Sequence, residues 1–251
     1  MKITAVIQAR MTSHRLPGKV LMEVKGRPLL SYQIEQVRHA RKIDDILIAT
    51  TKNMEDDPIA QLARKEGLEV YRGSEHDVLD RYYQAAQKHG IEHILRLTGD
   101  CPLIDPIICD YVINLYMTSG ADFVHTGPTF AEGNDCEIFS FINLEKAWNN
   151  AKLKSEREHC TLYLHNHPEK FNKIVLTNDT DDSKYRFTVD NLEDFLVVKE
   201  IIERIGKRES TIFKTDAIKN FFDTNPEIFK LNAHITRNEG LLKSFLEDKK
   251  L

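Results

Sequence analysis

The chain has 251 residues, 41% hydrophobic and 29% charged, with a net charge of −4. This is enough chain to bury a sizeable core, as one α/β domain or a domain with a small appendage. The acidic balance argues against a nucleic-acid binder, and no stretch approaches the ~20 apolar residues of a membrane span. The first segment is too short an apolar run for a signal peptide, so the expected location is the cytoplasm. Cys101, Cys109, Cys136 and Cys160 lie far apart with no C-x-x-C. They are expected as reduced, buried thiols rather than a zinc site or a disulfide framework.

Short β-branched runs alternate with amphipathic stretches, the rhythm of an α/β protein with a largely parallel sheet. Residues 3–8 form the first expected strand. The basic loop Gln8-Ala9-Arg10-Met11-Thr12-Ser13-His14-Arg15-Leu16-Pro17-Gly18-Lys19 follows it. From Arg10 to Arg27 the chain carries Arg10, Arg15, Lys19, Lys25 and Arg27 against a single acid, Glu23. A concentrated cationic loop in an acidic chain suits a small polyanion. At the carboxyl edge of a parallel sheet, Arg10, Arg15 and Lys19 would converge on several phosphate oxygens at once. The loop lacks the Walker A pattern, and no glycines fit G-x-G-x-x-G, which disfavours P-loop and dinucleotide-binding enzymes.

Further strands are expected at 46–50, 68–71, 93–97, 122–125, 137–141, 173–176 and 186–189. Helices are expected at 29–41, 57–66, 77–89, 106–118, 143–151, 156–165 and 192–205. Asp105-Pro106 marks one helix start, an N-cap followed by proline at the first helical position. Residues 126–137, with two glycines and a proline, read as a mobile loop at the open end of the sheet. From Lys207 the chain is more polar and reads as an appended tail or lid, with a turn at Asp223-Thr224-Asn225-Pro226.

Asp100 follows the strand at 93–97 within Thr98-Gly99-Asp100-Cys101-Pro102, and Asp190 ends the run Tyr185-Arg186-Phe187-Thr188-Val189. A carboxylate at a strand end is a common Mg²⁺ ligand. Gly-Asp also serves plain turns, and Asp190 can equally cap the helix that begins near Leu192. His159 reads either as a packed helix residue or as a functional one. His165 and His167 fall at a helix end beside Pro168, where metal binding is disfavoured. Trp148, Phe221, Phe222 and Phe229 read as core or dimer contacts.

Together, R-x-x-S-x-R-L-P-G-K, G-D-x-P-L-I and a strand ending T-V-D resemble the cytidylyltransferases that make CMP-activated acidic sugars, such as the CMP-Kdo and CMP-acylneuraminate synthetases. Three more runs resemble the spore coat polysaccharide biosynthesis protein F subfamily: Asp77 to Tyr82, Arg157-Glu158-His159-Cys160-Thr161, and Asn225 to Asn232. The resemblance implies a Rossmann-like three-layer α/β/α nucleotidyltransferase (GT-A-like) fold with a mixed, mainly parallel sheet. It also implies a nucleotidyltransferase domain over residues 1–206, with a dimerisation or acceptor segment at about 126–168, and a helical appendage over 207–251. The implied reaction is transfer of CMP from CTP to a sugar hydroxyl, with pyrophosphate released. By the same resemblance Arg10, Arg15 and Lys19 are catalytic and hold the CTP phosphates, with Gln8 and Ala9 near the nucleotide. Gly73, Ser74 and Arg81 match the base and ribose region, and Asp100 and Asp190 match the Mg²⁺ carboxylates. Glu137, Arg157 and His159 are the implied acceptor-binding residues, and a homodimer is the implied assembly. The region from Thr126 to Thr161 departs from the Kdo enzymes. Two other readings are a GT-A glycosyltransferase, whose usual metal motif is D-x-D, and a nucleotide-binding protein without catalysis.

Overall fold

The computed structural model describes residues 1–206, 211–237 and 239–248. The first strand, β1 (Ile3–Gln8), is apolar on both faces, as a central parallel strand must be. A small antiparallel hairpin follows, β2 (Glu23–Val24) and β3 (Arg27–Pro28), leading into helix α1 (Leu29–Arg38). Next come β4 (Asp45–Thr51), α2 (Asp57–Lys65), β5 (Glu69–Gly73), α3 (Val78–His89) and β6 (His93–Thr98). Beyond them lie α4 (Pro106–Ser119), β7 (Phe123–Thr126), β8 (Glu137–Ser140), α5 (Phe141–Asn150), α6 (Lys154–Glu158), α7 (Leu162–Asn166) and β9 (Lys173–Leu176). The chain finishes with helices α8 (Leu192–Ile205), α9 (Thr215–Thr224), α10 (Pro226–Phe229) and α11 (Glu239–Asp248).

Seven strands form one sheet in the order β5-β4-β1-β6-β8-β7-β9. All pairings are parallel except those of β8, which runs against both β6 and β7. Alternation along β1 sets the layers. Ile3, Ala5 and Ile7 pack with residues of α1, α2 and α4, whereas Val6 faces the layer holding α3, α5 and α7. The three-layer α/β/α architecture is thus the expected one, with a mixed, mainly parallel sheet. The reversal of β8 brings its first residue, Glu137, to the edge where the parallel strands end, opposite Arg96.

Several elements differ from expectation. Residues 186–189 are not a ladder strand: only Arg186 bridges Glu132, and the Val189 amide donates to the Asp100 carbonyl at 2.8 Å. The expected helix over 156–165 is two short helices, because His159 turns extended (φ −108°) while Cys160 is buried and the Thr161 hydroxyl reaches inward to Glu137. The segment 126–137 is not a loose loop. Ala131, Asn134 and Cys136 are fully buried, and Gly133 at φ +108° lies against the 187–188 backbone. The expected break at 206/207 abuts residues outside the described set. Beyond it, Phe213, Ile218, Phe222 and Ile228 share one apolar cluster with Val197, Val198, Ile201 and Ile202 of α8. Phe222 stacks on Tyr185, and Trp148 stacks on Tyr83.

Candidate active site

The loop leaving β1 turns back at Gly18, whose φ of +74° places it in the left-handed region that glycine tolerates. Its amide donates to the Met11 carbonyl at 2.8 Å, and a short 3₁₀ turn then carries Lys19 inward. Lys19 is 7% exposed, and its ammonium donates to Asp100 Oδ2 at 2.8 Å and to Asp190 Oδ1 at 2.7 Å. Gly99 permits this meeting, because a Cβ there would come within 2.8 Å of both the Gln8 carbonyl and the Ala9 Cβ. Burial opposes the charge on Asp100, but the Lys19 ammonium outweighs it and holds the carboxyl down to about 2. Burial likewise opposes the Lys19 charge, and the two aspartates more than offset it, raising its pKa.

Arg15 donates to the same Asp190 oxygen at 2.8 Å, and its other terminal nitrogen pairs with Glu239 of α11 at 2.8 Å. Arg10 stands 3.6 Å from Glu75, whose carboxylate also accepts from Thr12 and from Asn53. Gln8, Ala9, Arg10, Arg15, Lys19, Asp100 and Asp190 all line one cleft of about 790 Å³ at the carboxyl edge of the sheet. A second cleft of about 390 Å³, between Lys2, Leu47, Glu69 and Gly90, lies away from all of them.

Of the base and ribose candidates, Arg81 lines the cleft while 2% exposed, but Gly73 and Ser74 do not. They build its seat instead. The Ser74 carbonyl accepts from Arg81 at 2.9 Å, and a Cβ on Gly73 would strike the Arg81 side chain. Of the acceptor candidates, only His159 lines the cleft. Its Nε2 lies 2.9 Å from the Ser244 hydroxyl of α11, and burial, with the Arg96 charge behind it, lowers its pKa.

Glu137 and Arg157 are not among the residues lining this cleft. Glu137 is committed to Arg96 at 2.5 Å, Thr161 at 2.8 Å and His165 at 3.0 Å, and does not reach the cleft. Arg157 is held by Asp77 and the Trp148 carbonyl, stitching α6 to the start of α3. Sequence reasoning missed Arg96, Glu75 and Ser244 as cleft residues. Arg96 carried a usable signal, a charge inside the apolar strand His93–Thr98.

A cationic loop facing two carboxylates across the carboxyl edge of a parallel sheet suits an α/β enzyme that handles a nucleotide's phosphates. More narrowly, the chain belongs to the cytidylyltransferase family, whose model matches residues 4–237, and is a CTP-dependent nucleotidyltransferase. It is 33% identical to the spore coat polysaccharide biosynthesis protein SpsF of Bacillus subtilis, over 82% of this chain and 88% of that one. It is 38% identical to the 3-deoxy-manno-octulosonate cytidylyltransferase of Geobacter sulfurreducens, over 45% of this chain and 44% of that one. Among solved structures, a cytidylyltransferase from Leptospira borgpetersenii superposes with a TM-score of 0.85 at 37% identity. That match covers 91% of this chain and 97% of the other.

Proposed function

We propose that this enzyme transfers CMP from CTP to a hydroxyl of an acidic sugar, nonulosonic or Kdo-like, for surface polysaccharide or glycan synthesis. The observation that carries the reading is the convergence of Lys19, Asp100 and Asp190 at 2.7 to 2.8 Å in the cleft, with Arg15 and Arg10 beside them. The acceptor oxygen bonds to the α-phosphorus of CTP as the bond to pyrophosphate breaks, and the hydroxyl proton passes to solvent water. No covalent enzyme intermediate is required. Lys19, Arg15 and Arg10 neutralise the charge that grows on the phosphate oxygens, the role for which an ammonium and guanidinium forks suit. Gln8 and Ala9 border the nucleotide, and Gly73 and Ser74 seat Arg81 toward its base and ribose.

Asp100 and Asp190 are the residues that would hold Mg²⁺. Their oxygens already converge on one cation, the Lys19 ammonium, and two carboxylates with room for water and phosphate oxygens suit this ion. Bound there, Mg²⁺ supplies charge neutralisation at phosphate and a lower pKa for the attacking hydroxyl. The acidic acceptor is read from the relatives, which include 3-deoxy-manno-octulosonate cytidylyltransferases. Arg96 lines the cleft wall. His159 borders the same wall. The exposed Ile142 and Leu153 support pairing of two copies through the 126–168 segment. The enzyme is read as a cytoplasmic homodimer.

The test is a pyrophosphate-release panel crossing four nucleoside triphosphates with acidic and neutral acceptor sugars. CTP-specific release with an acidic sugar is expected. Preference for ATP or UTP would overturn the cytidylyl assignment, and turnover with neutral sugars alone would overturn the acidic acceptor.

A further inference from the structure

We propose that Arg186, Asp194 and Asn232 form a positioning unit that presents one oxygen of Asp190 to the cleft, making the C-terminal segment part of the catalytic apparatus. The proposal rests on the role of Asp190 given above.

The two oxygens of Asp190 have separate partners. Oδ1 faces the cleft, taking Lys19 at 2.7 Å and Arg15 at 2.8 Å. Oδ2 faces inward and accepts from Arg186 Nη2 at 2.9 Å. Arg186 is 5% exposed, and its remaining donors are spent on other buried acids: Nη1 on Glu132, and Nε on Asp194 Oδ1 at 2.8 Å. A planar fork serving three carboxylates from fixed directions is a task for arginine; a lysine ammonium cannot reproduce it.

Asp194 holds the main chain while Arg186 holds the side chain. Its Oδ2 accepts from the amides of Asp190 at 2.9 Å and Asn191 at 3.0 Å, a capping box at the start of α8. Capping alone explains those two bonds. It does not require Asn232, which is 3% exposed and donates to Asp194 Oδ1 at 2.9 Å and to the Arg186 carbonyl at 3.3 Å. Asn232 ends the run that begins at Asn225, so the unit ties a C-terminal residue to the orientation of a carboxylate in the cleft. Residues behind ligating carboxylates typically change metal affinity or activity by 10- to 100-fold when lost.

The experiment compares wild type with Asn232→Ala and Arg186→Lys by three measurements: thermal unfolding, kcat and KM for CTP, and Mn²⁺ affinity by water-proton relaxation with CTP present. Asn232→Ala is expected to stay folded, keep its KM for CTP within about twofold, lose kcat, and bind Mn²⁺ on the order of 10-fold more weakly. Arg186→Lys should move the same way and further. Where a variant fails to fold, Asn232→Ser keeps a donor and should show the same shift, only smaller. Variants that lose thermal stability yet keep kcat and Mn²⁺ affinity per folded molecule would overturn the proposal. A wild type that releases no pyrophosphate from CTP defeats the proposed reaction instead, while the Mn²⁺ comparison still decides the positioning role.

Discussion

Lys19 sits where its charge does most, between two carboxylates, one just after β6 and one just before α8. Removing either side of such a contact removes transition-state stabilisation of about 3 kcal/mol, or about 10² in rate. Lys19→Ala and Asp100→Asn are therefore each expected to cut pyrophosphate release by at least ~10²-fold in a steady-state assay. Near-normal turnover in either would take that residue out of the site. Arg10, Arg15, Lys19 and Asp100 were legible in the sequence because the loops that carry them leave the apolar strands β1 and β6, whose polarity puts those loops on one edge; Asp190 was legible only as the acid ending an extended β-branched run. Glu137 and Arg157 were not legible in the same way. Their partners, Arg96 and Asp77, lie 41 and 80 positions away, and nothing local in the sequence announces that those charges are already taken.

Elements are held in place by close backbone approaches as much as by side chains. Gly133 shows the demand most clearly: φ is +108°, and a Cβ would lie 2.7 Å from the Thr188 nitrogen and 2.8 Å from the Phe187 carbonyl carbon. Gly133→Ala combines backbone strain with a clash against main chain, and is expected to cost about 2 kcal/mol or more in denaturant unfolding. It should also lower activity, because the neighbouring Glu132 anchors Arg186. A variant as stable and active as wild type would show that the 126–137 segment yields easily. Strands were readable from β-branched runs, but residues 186–189 were overread: composition marks extended backbone, not whether a ladder partner is available. The helix expected over 156–165 failed for a related reason, since its periodicity could not show that Cys160 and Thr161 turn inward to the sheet.

For the molecule as a whole, the alternation of strands and helices specified three layers, while the reversal of β8 had no local signature. That reversal buries an ion pair. Burial alone would raise the pKa of Glu137, but Arg96 and then His165 outweigh it and hold the carboxyl far below its usual 4.5. The folded state thus binds fewer protons there than the unfolded chain. Its stabilisation is complete above the ordinary glutamate range and is lost as pH falls below it. Asp100, held down to about 2, adds to the loss in the same direction. Calorimetry from about pH 7 to pH 3 should show Tm falling steeply below about pH 5, with Glu137→Gln starting lower and falling less. A flat wild-type profile would refute the account.

The Lys19 ammonium joins residues 81 and 171 positions away from it. Such long-range closure delays assembly, because chain entropy must be overcome before the contact repays it. During synthesis Lys19 emerges 171 residues before Asp190. The nascent protein therefore passes through a long interval with the cationic charges of the Lys19 loop unmatched. Nucleotide-binding competence should arrive late and all at once, when the C-terminal third docks.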